Sequence, residues 1–140
     1  MPNMKTEHKP AIIALVLCDN IYTEPSGKSA LVGLFNGISA GSFPAKHPRL
    51  AVFVSMTDVH PGSAGTLDIV HGETDNPIVE AKGEFQEVER TDVVDMSFIL
   101  NNVTFPEPGL YFIRFFVNGH CLVQRPFDVR EVRSKGEEDK

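Results

Sequence analysis

Apolar and polar residues alternate along most of this chain with the two-residue period of a β-strand. The clearest example is the stretch 105–129, in which two alternating segments flank the dipeptide Asn118-Gly119. Both turn residues tolerate positive φ, as the central positions of a type I′ hairpin turn require. The pattern therefore predicts that the last two strands form a β-hairpin.

Eight strands are predicted in all, separated by turns rich in glycine and proline. No segment has the spacing of apolar residues expected of an amphipathic helix. Many short strands with frequent turns predict an all-β fold, either a two-layer antiparallel β-sandwich or a barrel. The predicted strands cover residues 11–22, 29–39, 50–57, 65–71, 78–88 and 93–101, followed by the two strands of the terminal hairpin.

The first strand and the terminal hairpin are apolar on both faces. Every residue from Ala11 to Cys18 is apolar, and a strand face that lies in water should instead be polar. In the hairpin, a two-residue turn places a mixed set of side chains on the face opposite the core. We expect another element, a partner protein or a second subunit to cover these faces. The hairpin residues that form this candidate interface are Phe112, Arg114, Phe116, Cys121, Val123 and Arg125.

The length and composition fit one folded domain. The chain has 140 residues, of which 41% are hydrophobic, and a net charge of −6. We expect a single domain over residues 11–132, between a flexible N-terminus (1–10) and a charged flexible tail (133–140). Scattered basic residues and a net negative charge disfavour a nucleic-acid partner.

The sequence contains no convincing membrane or targeting segment, and a cytoplasmic location is expected. Lys5 and Lys9 precede an apolar run that ends at Cys18, which is the order found in a bacterial lipoprotein signal. Cleavage would need a small residue before the cysteine, where this chain has Leu17. An exported lipoprotein is therefore kept as the alternative.

Two short polar or basic segments are candidate sites of chemistry. Gly27-Lys28-Ser29 resembles the end of a phosphate-binding loop, but Tyr22 stands where that loop needs its first glycine, and a strand follows in place of a helix. The motif is therefore interpreted as a hairpin turn. The only small basic concentration, Lys46, His47 and Arg49, belongs to a proline-rich segment predicted to be an irregular crossover between sheets, and it is where an anionic group would bind, if anywhere.

Histidine and acidic residues also concentrate in two loops, but neither loop matches a metal-binding motif. One holds Asp58 and His60; the other holds His71, Glu73, Asp75 and Asn76. Simple tracing places the loops at opposite ends of one strand, so they should not form one site. No cofactor, metal ligand or catalytic residue is assigned.

Cys18 and Cys121 both fall within predicted strands. They would form a disulfide only if the first and last strands are neighbours. Without a convincing export signal, two buried free thiols are the favoured interpretation.

Two resemblances add to this picture. The segment Glu107-Pro108-Gly109-Leu110-Tyr111 resembles the tyrosine corner of immunoglobulin-like sandwiches, in which the phenol bonds back across the corner. This resemblance implies an immunoglobulin-like Greek key. Ile113 stands where an antibody domain has its second cysteine, and the chain has no tryptophan, so an antibody-type domain is excluded.

The whole chain also resembles a family of small uncharacterised bacterial proteins of unknown function. The resemblance rests on residues 18–20, 27–35, 43–50 and 105–111, and it implies no activity. From the residues themselves, the leading hypothesis is a non-enzymatic interaction or structural module that uses an apolar sheet face or a strand edge, with a protein partner or a second copy. The alternative is the binding of a small ligand or metal ion through the loops.

Overall fold

The computed structural model describes residues 9–72, 74–85 and 92–132. These ranges form nine strands, and they contain no helix that is long and apolar enough to span a membrane. The fold is all-β, as predicted. The strands are β1 (Ala11–Thr23), β2 (Ser29–Leu34), β3 (Gly37–Ala40), β4 (Ala45–Thr57), β5 (Ala64–His71), β6 (Pro77–Glu84), β7 (Val93–Phe105), β8 (Gly109–Val117) and β9 (His120–Glu131).

The strands form two sheets that share one core. The four-stranded sheet has the order β2-β1-β4-β7, and the five-stranded sheet has the order β3-β9-β8-β5-β6. Every pair is antiparallel except β3 with β9. Alternate residues of the strands point inward, and both sheets contribute to the core. Its largest fully buried side chains include Leu17, Leu50, Met56, Phe105, Tyr111, Phe115 and Phe127.

The terminal hairpin and the corner before it have the predicted local structure. Asn118 and Gly119 have φ values of 49° and 85°, as a type I′ turn requires. The hydroxyl of Tyr111 donates a 2.6 Å hydrogen bond to the carbonyl oxygen of Glu107. The buried ring of Tyr111 also packs edge-on against Phe105 and His71, with centroid distances of 5.1 and 4.8 Å.

Several predicted boundaries differ from the structure, and β7, predicted to end at residue 101, extends to Phe105. The segment 29–39 divides into β2 and β3, which belong to different sheets. The segment around Pro48, predicted to be irregular, is the first part of β4. β1 pairs with β4 only from Ala51 onward. At residue 48 no backbone N–H is needed to pair β4 with β1, so a proline is tolerated there. The predicted fifth strand extended to residue 88, and its last three residues lie outside the described ranges.

Beyond its first two pairs, the terminal hairpin departs from the regular pairing that a two-residue turn predicts. Val117 lies opposite His120 and Phe116 opposite Cys121, but a bulge then places Phe115 opposite Val123. One extra residue in β9 reverses the side of every later side chain in that strand.

Gly27 and Ser29, which raised the possibility of a phosphate-binding loop, belong to the β1–β2 hairpin. The N–H of Gly27 donates to the carbonyl oxygen of Glu24 at 2.8 Å, and Ser29 begins β2. Gly27 has a φ of 94°, a conformation that glycine adopts without steric cost.

Candidate interaction surface

The outward side of the four-stranded sheet, which we call the outer apolar face, carries a row of apolar residues that crosses all four strands. Residues directly opposite each other on neighbouring strands point to the same side of a sheet. Leu34 of β2, Cys18 of β1, Ala51 of β4 and Ile99 of β7 are paired in this way and form one continuous row. A sheet face that lies in water normally carries polar side chains.

Large apolar side chains are exposed on this face. Among the described residues, eight large hydrophobic side chains are exposed, and six of them belong to the outer apolar face. The most exposed is Leu34, at 65%. Exposed apolar patches on soluble proteins are often functional. The six are Ile13, Tyr22, Val32, Leu34, Val93 and Ile99.

Polar pairs lie on both sides of this apolar row. On one side, Nη2 of Arg49 donates a 2.8 Å hydrogen bond to Oδ1 of Asn20. On the other side, the hydroxyl of Ser55 donates a 2.7 Å hydrogen bond to Oδ1 of Asp95. Val93 lies beyond Asp95 in β7, so these pairs interrupt the exposed apolar surface.

Cys18 lies in the middle of this face but is not accessible. Its side chain is fully buried, and its thiol donates to the carbonyl oxygen of Asn20 at a sulfur–oxygen distance of 3.4 Å. Burial raises the pKa of this thiol, which keeps it protonated and poorly nucleophilic. Cys18 and Cys121 are both free, as favoured, but Cys121 is exposed, so the prediction that both thiols are buried was half right.

The interface predicted from the sequence lies on the other sheet. Phe112, Arg114, Phe116 and Cys121 share the outward face of β8 and β9, but the hairpin bulge places Val123 and Arg125 on the inward face. Val123 packs against the core. Nη1 of Arg125 donates a 2.5 Å hydrogen bond to the carbonyl oxygen of Leu15, and Nη2 bonds to Asn36.

The outward face of β8 is largely covered by its own side chains. Arg114 donates two 2.9 Å hydrogen bonds to the carboxylate of Asp68, and its guanidinium lies 5.1 Å from the centre of the Phe116 ring. The bond to Asp68 is the main cause that raises the pKa of Arg114. Phe112, Arg114 and Phe116 are each only half-exposed. The six predicted residues therefore do not form one surface.

Five residues of the outer apolar face were not predicted from the sequence: Tyr22, Val32, Leu34, Val93 and Ile99. Val32 and Leu34 could have been identified from the sequence, because their strand, S-A-L-V-G-L, contains no charged residue. Alternation alone could not show that this strand lies at the edge of its sheet, because strand order depends on pairing between distant segments.

The loops that carry histidine and acidic residues do not converge. The described residues contain no group of three or more His, Cys, Asp or Glu side chains that could hold a metal ion. Glu73, one of the residues considered, lies outside the described ranges. Nε2 of His71 is buried beside Gly109 without a hydrogen-bond partner.

His47 and Arg49 line a shallow cleft of about 410 Å³ at the outer apolar face, but Lys46, the third residue of the predicted basic concentration, does not. His47, Pro48 and Arg49 form one wall of this cleft, and Asp19, Asn20, Tyr22 and Val32 form the rest. Arg49 is engaged by Asn20, and the carboxylate of Asp19 lies in the same cleft. The site is therefore of mixed charge and does not favour an anion.

Comparison with known proteins identifies the family but no function. A model of a family of unknown function (DUF6941) matches residues 13–130. The match spans nearly the whole described domain, and the chain belongs to this family. No curated protein matches the chain significantly.

Proposed function

We propose that this protein is a non-enzymatic interaction module that binds another protein chain through its outer apolar face. The observation that carries the proposal is the concentration of exposed apolar side chains on this face, six of the eight among the described residues. Exposing them to water is unfavourable by about 25 cal/mol per Å², and a partner would remove this cost. A protein partner in the cytoplasm is part of the proposal.

The buried polar residues support this class of function over catalysis. Asp68 is held by Arg114, Ser55 by Asp95, and Ser63 accepts a hydrogen bond from Asn118. Each of these three buried residues therefore has a hydrogen-bond partner that holds the fold together. A catalytic site would instead present converging polar groups toward a pocket.

We further propose that the fold is an immunoglobulin-like Greek key sandwich. In this scheme β1, β4 and β7 correspond to strands A, B and E, and β9, β8, β5 and β6 correspond to strands G, F, C and C′. Their order within the two sheets is then the order expected of an immunoglobulin-like sandwich. The hydrogen bond of Tyr111 near the start of β8 supports this proposal, because a tyrosine corner lies near the start of strand F in that fold. Domains of this architecture commonly use a sheet face or its loops for recognition, although the fold alone does not define a function.

Site-specific photo-crosslinking tests the proposed function. A photoreactive residue replaces Leu34 on the outer apolar face, and in a matched control it replaces Leu110, which is 46% exposed on the other sheet. We expect a discrete protein adduct from position 34 and none from position 110. Adding Ile99→Asp to the same face should abolish the adduct. The proposal is wrong if position 34 yields no adduct, or if both positions yield the same adducts.

A further inference from the structure

Two opposite charges lie on the outer apolar face, one on each side of its apolar row. Arg49 and Asp95 are the only charged residues in the paired segments 49–57 of β4 and 93–101 of β7, and both are exposed. Asp95 lies opposite Ser55, which is six positions from Arg49 and therefore points to the same side of the sheet, about 20 Å away. The two charges are too far apart to pair within one chain.

Both charged groups can bind a further partner. The guanidinium of Arg49 has five N–H donors, one of which bonds to Asn20. Oδ1 of Asp95 accepts the hydroxyl of Ser55, which leaves the rest of the carboxylate able to accept hydrogen bonds. Among the ion pairs of the described residues, none includes Arg49 or Asp95. A second chain could therefore bind both groups without displacing their present partners.

A two-fold axis brings these charges together in two copies of the chain. If the axis runs across the strands, between the row of Ala51 and the row of Phe53, the facing sheet has its strands reversed. Arg49 of one copy then lies over Ser55 of the other copy, whose neighbour on β7 is Asp95. Neighbouring strands are about 4.8 Å apart, so Arg49 reaches that carboxylate. Symmetry repeats the contact, and the interface holds two ion pairs.

The same axis matches apolar groups between and beyond the charges. It places Ala51 over Phe53 of the other copy, next to Val16, which pairs with Phe53. It also brings Tyr22 close to Ile13 of the other copy. Tyr22 and Ile13 are 53% and 56% exposed, and this contact removes part of their apolar area from water.

Only the reversed orientation pairs the two charges. With a two-fold axis along the strands, Arg49 would face the row that holds Arg49 itself and Asn101, and these two residues offer no carboxylate. Opposite charges at matching positions fix the orientation and register of an interface. A contact between identical surfaces also needs a surface that is complementary to itself, and the positions of Arg49 and Asp95 meet this requirement.

We propose that the outer apolar face packs against the same face of a second copy of this chain, with the strands reversed and Arg49 of each copy beside Asp95 of the other. This inference rests on the proposed function and names the partner as a second copy. Facing sheets pack about 10 Å apart, so the contact covers the apolar row of both copies. The dimer is then a stack of four sheets, with the two four-stranded sheets at its centre.

The test uses charge reversal in two variants of the full chain. Arg49→Glu brings two acidic groups together at each contact, and Asp95→Lys brings two basic groups together. Analytical ultracentrifugation of the wild type should show a monomer–dimer equilibrium that depends on concentration. Each variant alone should have a dissociation constant raised by about tenfold or more. An equimolar mixture of the two variants should dimerise again, because the new acidic group of one variant faces the new basic group of the other.

The matched controls make the same charge changes on the other sheet. Arg130 and Asp128 form an exposed pair there, and Arg130→Glu and Asp128→Lys should leave the dissociation constant unchanged, alone or mixed. Arg49→Gln and Asp95→Asn remove each charge but keep a polar group, and each should weaken the dimer less than the matching reversal. These two milder variants decide the test if a reversal variant does not fold.

Three results overturn the inference: a wild type that is monomeric at every soluble concentration, reversed or neutralised variants that dimerise as the wild type does, or a mixture of folded reversal variants that stays monomeric. With the purified chain alone, the photoreactive residue at position 34 should give a homodimer adduct. A monomer whose adduct at position 34 contains a different protein would overturn only this inference and leave the proposed function standing. The absence of any adduct at position 34 would overturn both.

Discussion

Arg114 of β8 and Asp68 of β5 lie directly opposite each other and are joined by two hydrogen bonds of 2.9 Å. The side chain of Asp68 is only 4% exposed. Without Asp68, the largely buried guanidinium of Arg114 keeps as a carboxylate partner the exposed Asp75, 3.5 Å away, which compensates its charge far less. Asp68→Ala should therefore lower the free energy of unfolding by about 3 kcal/mol in urea denaturation.

The matched control for this pair is Asp128→Ala. Asp128 pairs with Arg130, but both side chains are well exposed, and exposed pairs contribute less than about 1 kcal/mol. Equal losses from Asp68→Ala and Asp128→Ala would show that the buried pair has no special structural role.

The hydroxyl of Tyr111 is expected to stabilise the corner before β8. Tyr111→Phe removes the 2.6 Å bond to the Glu107 carbonyl and should cost about 1 to 2 kcal/mol, measured as a lower Tm. Tyr22→Phe is the control, because Tyr22 is 53% exposed on the outer apolar face. A Tm that Tyr111→Phe leaves unchanged would contradict a stabilising role for the corner.

Gly109 is expected to tolerate no side chain. Its φ is 140°, and a Cβ atom there would lie 3.0 Å from Nε2 of His71. Gly109→Ala should therefore destabilise the fold by more than backbone strain alone. Gly62→Ala is the control for backbone strain without a contact. Gly62 has a φ of 84°, and a Cβ atom there would have no heavy atom within 4 Å. Equal Tm losses in the two variants would disprove the predicted contact with His71.

Stability should fall at alkaline pH because of Cys18. Burial raises the pKa of its thiol above the ordinary value of 9.0, so above pH 9 the folded state binds the proton more tightly than the unfolded state. The stabilisation is complete below pH 9 and is lost as the pH rises from there through the pKa of the folded state.

Urea denaturation between pH 7 and 11 measures this loss. Cys18→Ala should reduce the slope of unfolding free energy against pH in this range, while Cys121→Ala, which removes an exposed thiol, should not. An unchanged slope in Cys18→Ala would assign the effect to other groups. Tyr111 is the main additional contributor, since burial also raises its pKa, from 10.0.

Local features of the fold were predictable where one segment decides them. The Asn118-Gly119 turn and the Tyr111 hydrogen bond each depend on residues within a few positions of each other. In β7, alternation within the strand is sufficient to place Phe98 and Leu100 inward, and both are buried. In each case the two-residue period or the turn chemistry is sufficient.

The candidate site was less predictable because it depends on pairing between distant segments. The bulge at Phe115 and Phe116 has no clear signal in the alternation, and it moved two of the six predicted interface residues inward. The division of the segment 29–39 between two sheets likewise follows from which strands neighbour it.

The amino-acid pattern by itself determined an all-β domain, its turns, and a first strand that is apolar on both faces. Side-chain alternation and turn propensity act over a few residues, so a single segment carries that information. Only the tertiary structure decided that Cys18 and Ala51 join Leu34 and Ile99 in one row and that β2 is an edge. The physical reason is that a surface exists only after strands distant in the chain pair, and their order sets which apolar residues face the core and which face water.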